Sequence, residues 1–364
     1  MKKVSTVHVN LPNNAYTIHI EKGLLSNLSV YIKKYYQGKR LSVITDNNVA
    51  SIYLKDVLKE LNHNGFSAQS FIVDAGESSK SFETYQDTLE QLVESGHQRT
   101  DMIIALGGGV VGDLTGFVAS SYMRGVPFIQ VPTSLLAQID SSVGGKTGIN
   151  TKAGKNLVGA IYQPKSVLID PLTLDTLPQK YLRDGIGEAI KYGFIDRADL
   201  LSIFEDKRSI QAPFDWILKN RDEIIRICCE SKRSFVIEDE RDFGKRMILN
   251  YGHTIGHAIE KVHNYSKYTH GEAVAMGMYF MQKVSEAKGL TQSGLTQRIC
   301  ELLKTYDLYN MDMLSDPDLW INTIAKDKKN LNSKLNIILV KTPGQPLIYP
   351  TELNVFQEMM KEVL

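Results

Sequence analysis

The sequence predicts an α/β N-terminal domain with a mostly parallel sheet, followed by an all-α C-terminal domain. Two observations lead to this prediction. Up to about residue 175, short apolar segments alternate with helical patterns, which is typical of βαβ units. From about residue 176, long amphipathic segments with helical periodicity dominate. We therefore predict two domains, at residues 1–175 and 176–364.

The predicted elements follow one another along the chain. Alternating apolar and polar residues predict a β-hairpin at 4–9 and 16–20, and a helical pattern runs from Gly23 to about Tyr36. The next predicted elements are a strand at 41–45, a helix ending near Leu61, a strand at 71–73, a helix at 82–93, and strands at 102–106 and 128–131. The segment at 102–106 is almost continuously apolar, as expected of a parallel strand buried on both faces. In the second domain the predicted helices lie at 180–195, 215–233, 247–263 and 271–288.

The composition is that of an ordinary globular chain, with 43% hydrophobic and 23% charged residues. The formal net charge of +1 provides no basic field of the kind that nucleic-acid-binding proteins use, so we expect no nucleic-acid partner. No apolar run approaches the roughly 18 residues that a membrane span requires, so we expect no membrane partner and no signal peptide. The three cysteines include an adjacent pair, which favours a reducing compartment and a cytoplasmic location.

A glycine-rich turn follows the strand at 102–106. Gly107-Gly108-Gly109-Val110-Val111-Gly112 fits the pattern G-x-G-x-x-G between a strand and a helix, where the backbone can approach a pyrophosphate. The pattern predicts a nucleotide-binding sheet and a dinucleotide site; the alternative is a glycine-rich turn without a ligand. The acid that usually binds the ribose about 20 residues later is missing.

Asp46 is a candidate for the missing ribose contact, because it follows an earlier strand. Its alternative role is a helix N-cap. Asp46, Gly107 and Pro132 all lie just after strand ends, where α/β sheets bind their ligands. We therefore expect one crevice to gather the three.

Half of the eight histidines lie between 253 and 270. His253 and His257 share one face of a helix, and His270 opens the next segment. Imidazoles gathered in this way suit a divalent transition metal, whereas a lone histidine is usually a hydrogen-bonded core or surface residue. The metalloprotease signature H-E-x-x-H is absent. Spacing does not identify a third ligand. Glu188 is a candidate, and its alternative role is an i,i+3 ion pair with Lys191 on an exposed face.

Three lysines and no acid lie between Gly144 and Asn156, namely Lys146, Lys152 and Lys155. The segment 144–147 resembles the end of a Walker A loop, but Asp140 stands where the first glycine is required, which disfavours a P-loop ATPase. Further cations near the motifs are Arg124, Lys191, Lys232 and Arg246. A substrate with phosphate and carboxylate groups would use several of them, and the alternative for each is a solvated surface charge.

Several blocks of the sequence together resemble the 3-dehydroquinate synthases of the shikimate pathway, which make a precursor of the aromatic amino acids. The blocks are Gly76–Lys80, Gly107–Asp113, Val131–Thr147, Gly187–Gly193, Leu249–Glu260, His270–Val274 and Asp327–Lys329. They occur in order over about residues 40 to 340. The resemblance implies an N-terminal NAD-binding domain, a helical metal- and substrate-binding domain, an active site in the cleft between them, and a homodimer.

The resemblance also implies roles for individual residues. The residues assigned to NAD are Asp46, Glu77, Lys80, Gly108, Gly109, Asp113, Thr133, Ser134, Asp140, Lys146, Thr176 and Leu177. The ligands of one divalent metal, zinc or cobalt, are Glu188, His253 and His270. The residues assigned to catalysis are Asp140, Lys146, Asn156, Lys191 and His257, and those assigned to substrate binding are Arg124, Lys155, Lys232, Arg246, Asn250 and Lys328.

The reaction implied by the resemblance converts 3-deoxy-arabino-heptulosonate 7-phosphate into 3-dehydroquinate and phosphate. It proceeds by transient oxidation with NAD, β-elimination of phosphate, reduction, ring opening and intramolecular aldol closure. We expect His257 to relay the proton of the C5 hydroxyl, and Arg246 and Lys232 to bind the substrate carboxylate. Arg124 and Lys155 are expected near the phosphate.

Three other functions are considered. Another sugar-phosphate cyclase, an inosose or valiolone synthase, would act on a substrate without the carboxylate. A metal-dependent polyol dehydrogenase would release NADH, and a non-enzymatic dinucleotide-binding protein would leave the histidine cluster unexplained. The sequence departs from the family pattern at Gly187, where alanine is usual. Because glycine is a poorer helix former by roughly 1 kcal/mol, we expect a locally looser helix there.

Overall fold

The computed structural model describes residues 4–314, 317–328 and 334–363. The chain forms two compact units: Met1–Leu177 with Lys232–Arg241, and Pro178–Ser231 with Asp242–Leu364. Nothing in the sequence pattern indicated that the short segment at 232–241 belongs with the first unit. The functional division at residue 175 stays a prediction, because compactness does not show what each unit binds.

The first unit is built around a mostly parallel sheet. The strands of this unit are β1 (Ser5–Val9), β2 (Tyr16–Ile20), β3 (Arg40–Asp46), β4 (Ser67–Val73), β5 (Met102–Gly107), β6 (Phe128–Pro132), β7 (Lys146–Thr151), β8 (Gly154–Ile161) and β9 (Ser166–Ile169). All of them except β7 and β8 belong to the main sheet. The sheet has the order β1-β2-β9-β6-β5-β3-β4, in which β1 and β2 pair antiparallel and the other neighbours pair parallel. The predicted fold class, hairpin and strands are therefore confirmed, with boundaries shifted by a few residues.

Helices cover both faces of this sheet. They are α1 (Leu28–Ile32), α2 (Asn47–Val49), α3 (Lys55–His63), α4 (Phe82–Glu94) and α5 (Gly109–Ser121), and a π-helical turn (Ala50–Leu54) joins α2 to α3. The helix predicted from Gly23 to Tyr36 is wrong at both ends, since its first part is a 3₁₀ turn (Leu24–Asn27) and α1 ends at Ile32. Asp170 holds that turn, since its carboxylate accepts the N–H groups of Gly23 and Leu25 at 2.9 and 3.1 Å.

The central strands are apolar because they are buried on two sides. Leu41 and Val43 of β3 join one hydrophobic cluster with α1 and α3. Ile44 joins another with α4 and α5. Ile104 and Ile103 of β5 divide in the same way between the two clusters. This packing explains the continuous apolar run in the sequence.

The lysine-rich segment after Gly144 forms an antiparallel hairpin, β7–β8, which the sequence analysis did not predict. Its second strand is half exposed, with Leu157 and Ile161 open to solvent. The two strands approach so closely that a Cβ on Gly159 would lie 2.0 Å from Thr147 O. Without a buried face on β8, the segment shows no clear alternation of apolar and polar residues.

The second unit is mainly helical. It contains α6 (Gln179–Ile195), α7 (Ala198–Phe204), the first part of α8 (Pro213–Glu238), α9 (His253–Val262), α10 (His270–Ala287), α11 (Leu295–Thr305), α12 (Pro317–Lys328) and α13 (Leu353–Lys361). The all-α description needs one correction, because β10 (Lys334–Thr342) and β11 (Gln345–Glu352) form an antiparallel hairpin. Within the described residues, no helix is both long and apolar enough to cross a lipid bilayer.

The helix predicted at 247–263 is divided in two. A 3₁₀ turn (Lys245–Asn250) is followed by Gly252, whose φ of 81° is left-handed, and α9 begins at His253. A Cβ on Gly252 would lie 2.6 Å from Val274 O. The close approach to α10 and the left-handed conformation both require glycine, and together they end the first turn.

Candidate active site

The glycine turn lies at the carboxyl edge of the sheet, beside the ends of two neighbouring strands. Gly107 pairs with Pro132, the last residue of β6. The residues just before Asp46 and Gly107 pair with each other, so Asp46 lies at the same edge. The expected meeting of these three strand ends is therefore observed. α5 begins at Gly109 with Gly108 as its N-cap, and both glycines are half-buried.

Two glycines in the first turn of α5 pack closely against neighbouring side chains. A Cβ on Gly109 would lie 2.9 Å from Ser141 Oγ, and one on Gly112 would lie 2.5 Å from Gln130 Oε1. The N–H groups of a first helical turn have no partner within the helix. The turn thus presents backbone donors at a half-buried surface, which suits an anionic group.

A network of polar side chains lies beside this turn. Lys80 is 4% exposed, and its Nζ lies 2.7 Å from Asp113 Oδ2 and 3.9 Å from Glu77 Oε1. It also donates to Asn156 Oδ1. Burial lowers the pKa of Lys80, but the carboxylates of Asp113 and Glu77 raise it by more, so this amine stays a cation. The structure therefore brings four of the residues predicted for NAD or catalysis together.

Asn150 connects the parts of this network and was not predicted. Its Nδ2 donates to Glu77 Oε1 at 2.8 Å, and its Oδ1 accepts the N–H of Asn156 at 2.9 Å. Its own N–H donates to Lys80 O at 2.7 Å. Asn156 has a left-handed φ of 56°, so its backbone is held in a conformation that costs energy outside glycine.

Asp46 caps the helix that follows it. Its Oδ1 accepts the N–H of Val49 at 2.9 Å, so the capping role left open by the sequence is observed. Its predicted contact with the ribose stays a prediction. Thr133 is buried after β6, and Ser134 is half-buried beside it.

The remaining cations of the first unit differ in their surroundings. Lys232 is 6% exposed, and its Nζ lies 3.0 Å from Asp140 Oδ1 and 2.7 Å from Asp140 O. Arg124 is exposed in a 3₁₀ turn with a left-handed φ of 66°, and Lys146 is exposed at the start of β7. Lys155 is half-buried in β8. Of these four cations, Lys232 is the one in a buried polar site.

The second unit contains a buried carboxylate with one unpaired oxygen. Glu188 of α6 is 1% exposed, and its Oε2 accepts from Lys191 Nζ at 2.5 Å. Its Oε1 has no hydrogen-bond partner among the described residues. His253 Nε2 and His270 Nε2 each lie 3.7 Å from that oxygen. The ion pair with Lys191 that the sequence suggested does exist, but it is buried rather than exposed.

The three ligand atoms fit a divalent transition metal. Zinc binds imidazole nitrogen and carboxylate oxygen at about 2.0–2.2 Å, so tetrahedral ligand atoms lie about 3.4 Å apart. The two measured separations of 3.7 Å are close to that value, and all three atoms lie within 4.8 Å of one another. A buried unpaired carboxylate oxygen costs roughly 1–3 kcal/mol, which a bound cation would remove.

Both imidazoles are oriented by a second acceptor. His270 Nδ1 lies 3.0 Å from Glu260 Oε2, and His253 Nδ1 lies 3.2 Å from Tyr251 O. These contacts direct both Nε2 atoms towards Glu188. A carboxylate or carbonyl on the far nitrogen is the usual support of a metal-binding histidine.

The charges of the two rings differ. Burial lowers the pKa of His253 well below its ordinary value, and the charge of Lys191 lowers it further, so this ring is neutral and able to bind a metal. Burial also lowers the pKa of His270, but Glu260 and Glu188 outweigh that effect and raise it to about 9. Protonated His270 therefore places a positive charge between Glu260 and Glu188. A bound metal cation would supply that charge instead.

A second group of possible ligands shares one of these rings. His257, Glu260 and His270 also lie close enough together to hold an ion. However, Glu260 already accepts from His270 Nδ1. Glu260 therefore supports His270, and the binding of an ion by Glu188, His253 and His270 stays a prediction. His257 is exposed, with its ring centroid 5.8 Å from that of His270.

Comparison with known families identifies the family of this chain. The N-terminal model of 3-dehydroquinate synthase matches residues 70–184, and the C-terminal model matches residues 185–330. The chain belongs to the 3-dehydroquinate synthase family. The resemblance drawn from the sequence motifs is thereby confirmed.

Individual relatives agree with this assignment. The 3-dehydroquinate synthase of Clostridium perfringens (strain 13 / Type A) is 47% identical over 97% of this chain and 100% of its own length. That of Streptococcus pneumoniae (strain JJA) is 44% identical over 98% of this chain and 99% of its own length. Among solved structures, a 2-deoxy-scyllo-inosose synthase in complex with carbaglucose-6-phosphate, NAD⁺ and Co²⁺ is 26% identical. Its TM-score is 0.86, and the match covers 99% of this chain and 100% of that one.

Not every residue predicted from the 3-dehydroquinate synthase motifs lies in a described or buried site. Thr176 is exposed and contacts the Tyr53 hydroxyl, and Leu177 follows it. In the second unit Arg246 is 2% exposed, whereas Asn250 is exposed. The side chain of Lys328 lies outside the described residues. The roles of all these residues stay predictions.

Glu260 also lies in the candidate metal site, and no role was predicted for it. It lies seven residues after His253 and three after His257, so all three share one face of α9. A glutamate at that spacing within an apolar helix was the available signal.

Proposed function

We propose that this chain catalyses the 3-dehydroquinate synthase reaction, which converts 3-deoxy-arabino-heptulosonate 7-phosphate into 3-dehydroquinate and phosphate. The enzyme is then a carbon–oxygen lyase that depends on NAD and a divalent metal. One observation supports the metal dependence most strongly, namely the unpaired oxygen of Glu188 facing two imidazole nitrogens at 3.7 Å. Membership of the family supports the reaction.

NAD belongs to the first unit in this proposal. It would be bound by the first turn of α5 and by Asp46, Glu77, Lys80 and Asp113, and it supplies a hydride acceptor that is regenerated in each cycle. Lys80 neutralises Asp113 and Glu77, so the negative charge near the pyrophosphate is reduced. The NAD⁺ bound by the related inosose synthase supports this assignment.

The metal belongs to Glu188, His253 and His270. It would be zinc or cobalt, and it supplies a Lewis acid that makes a bound hydroxyl group more acidic. The Co²⁺ bound by the inosose synthase supports this choice. Lys191 neutralises the second oxygen of Glu188 and holds the carboxylate in place.

The substrate is assigned to a set of polar residues. Lys232 and Arg246 bind its carboxylate, and Arg124 and Lys155 bind its phosphate, since cations recognise both groups. Asp140, which holds the Lys232 amine at 3.0 Å, fixes its position for that contact. Lys146, Asn156, Asn250 and Lys328 complete the proposed contacts. His257 accepts and returns the proton of the hydroxyl group that is oxidised.

The assembly and the compartment are proposed by the same reasoning. We assign a homodimer in the cytoplasm, because the resemblance implies a dimer and the adjacent pair of cysteines in the sequence favours that compartment. Cys228, Cys229 and Cys300 are all buried. A sugar phosphate is the small-molecule partner, and no nucleic-acid partner is proposed.

Another cyclase reaction is less favoured. The chain is 47% identical to a 3-dehydroquinate synthase but 26% identical to the inosose synthase. The buried cations Lys232 and Arg246 are also better used by a substrate with a carboxylate. A polyol dehydrogenase would consume NAD in proportion to product.

The test is phosphate release from the heptulosonate phosphate with NAD below the enzyme concentration. We expect many turnovers per NAD, no accumulation of NADH, and loss of the reaction with a metal chelator. Sedoheptulose 7-phosphate and glucose 6-phosphate serve as matched substrates without the carboxylate. Faster cyclisation of either one, or steady formation of NADH from a polyol, would contradict the proposal.

A further inference from the structure

Helices α6 and α10 touch through their backbones next to the metal ligands. A Cβ on Gly271 would lie 1.9 Å from Asp184 O, and one on Gly187 would lie 2.4 Å from Gly271 O. Glycine is required at both positions, because a methyl group on either would collide with the main chain of the other helix. The close contact gives a packing reason for Gly187, in place of the looser helix that the sequence suggested.

Asp184 uses this contact to hold the beginning of α10. Its Oδ1 accepts the N–H of Gly271 at 2.6 Å, and the side chain is 9% exposed. Gly271 is the second residue of α10, so its N–H has no partner within the helix. A carboxylate on such a donor makes a short charge-assisted bond and also interacts favourably with the helix dipole.

The position of this bond matters because of what lies on either side of it. Asp184 precedes Glu188 by one helical turn, so both carboxylates lie on the same face of α6. Gly271 directly follows His270. The first carboxylate therefore fixes the main chain of His270, while the second faces the Nε2 of the same residue at 3.7 Å.

The other contacts near His270 involve different groups. Glu260 accepts from its Nδ1 and so sets the direction of the ring. Thr269 and Glu272 form a capping box in the first turn of α10. Arg183, which is partly exposed, places its Nη2 2.8 Å from Glu272 Oε1. Asp184 is the buried side chain of α6 that binds the α10 main chain beside the ligand.

We propose that Asp184 is a positioning residue, which sets His270 at the distance from Glu188 that the metal requires. It does not touch the metal or the substrate. Its removal would let the first turn of α10 shift relative to α6, and the ligand atoms would then have to be drawn together when the ion binds. This inference rests on the proposed metal site.

The experiment measures metal affinity rather than activity. Metal-depleted full-length protein is titrated with cobalt(II) against a chromophoric chelator, and the visible spectrum of bound cobalt reports the ligand geometry. We expect Asp184→Ala to weaken cobalt binding about tenfold or more and to change the spectrum, as loss of an outer contact does at other metal sites. Asp184→Asn, which keeps an acceptor oxygen but not the charge, should lie between Asp184→Ala and the wild type.

Glu286 provides a matched control at the other end of α10. Its Oε1 accepts the N–H of Gly294 at 2.6 Å and its Oε2 that of Thr296 at 2.9 Å. Glu286→Ala should lower the Tm and leave cobalt affinity and spectrum unchanged. Asp184 variants that behave in the same way would overturn the proposal. If Asp184→Ala does not fold, Asp184→Asn decides by the same criterion. Wild-type protein that binds no cobalt would instead overturn the metal site itself.

Discussion

The polar groups proposed for NAD and those proposed for the metal are satisfied in opposite ways. In the first unit, Lys80 donates to both Asp113 and Asn156. In the second unit, Glu188 Oε1 has no hydrogen-bond partner among the described residues, although two imidazole nitrogens lie 3.7 Å away. A partnered network gives no sign of its ligand, whereas a buried unpaired oxygen indicates a missing cation.

The difference also predicts how each site responds to its ligand. The proposed metal ligands are already directed by Glu260, Tyr251 and Lys191, so binding an ion would require little rearrangement. The NAD site must exchange some contacts between protein groups for contacts with the cofactor. A substitution at the metal site should therefore lower metal affinity by a large factor. A substitution at the NAD site should change NAD binding by a smaller factor.

The largest effect is expected from the loss of a metal ligand. His253→Ala removes one of three protein ligands, so cobalt affinity should fall by more than about 100-fold and phosphate release should be lost. The measurements are metal content by mass spectrometry and turnover with added cobalt. His63→Ala, at an exposed position of the first unit, is the control. Full metal content and turnover in His253→Ala would show that the ligand is misassigned.

His257→Ala should separate proton transfer from metal binding. We expect kcat to fall by about 10²–10⁴, the usual contribution of a general base, with unchanged metal content. His263, which lies at the end of the same helix, gives the control variant His263→Ala. Loss of metal from His257→Ala would mean that a ligand has been taken for the base.

Glu260→Gln should weaken the metal site without removing a ligand. The amide can still contact His270 Nδ1, but the charge that supports the ring is gone. Cobalt affinity should fall about 10–100-fold. An unchanged affinity would remove Glu260 from the site. Glu60→Gln, a carboxylate of the first unit that binds Ser29, is a control that should leave affinity unchanged.

Asn150→Ala should act on NAD and not on the metal. It removes side-chain hydrogen bonds to Glu77 and to the N–H of Asn156, each worth about 1 kcal/mol. KM for NAD should rise about tenfold while cobalt affinity stays the same. Asn64→Ala, which removes an exposed contact with Glu60, is the control. A change in metal affinity with no change in KM would contradict the separation of the two sites.

The smallest effect is a dependence of stability on pH. Burial lowers the pKa of His19 to about 4, against 6.5 in an unfolded chain. The unfolded state therefore binds more protons between these values, and stability is lost as the pH falls from about 6.5 towards 4, by up to about 1.4 kcal/mol per pH unit. His19→Gln should reduce the shift of the urea midpoint between pH 7 and 5. An unchanged shift would exclude His19 as its source, and His63→Gln is the exposed control.

Much of the first unit could be predicted from its sequence because its signals are local. The strands β3, β5 and β6 are buried on both faces, and their apolar runs show it. The hairpin β7–β8 was missed because β8 is half exposed and lacks an apolar face. The segment 232–241 could not be assigned, since no local pattern tells to which unit part of a long helix belongs.

The metal site shows where sequence reasoning ends. Helical spacing placed His253 and His257 on one face, but it could not show that Glu188 and His270 are the residues that meet His253. These residues meet because α6 contacts α10 through Gly187 and Gly271. The two helices are far apart in the sequence, so no local pattern predicts this contact. The roles of those ligands came from family resemblance, and the physical basis for them came from the unpaired oxygen of Glu188.

The most direct test of the metal site is the anomalous scattering of crystals grown with cobalt(II). We expect one strong peak per chain at about 2.0–2.2 Å from Glu188 Oε1 and from the Nε2 atoms of His253 and His270. A peak at His257 and Glu260 instead, or no peak with cobalt present at saturating concentration, would contradict the assignment.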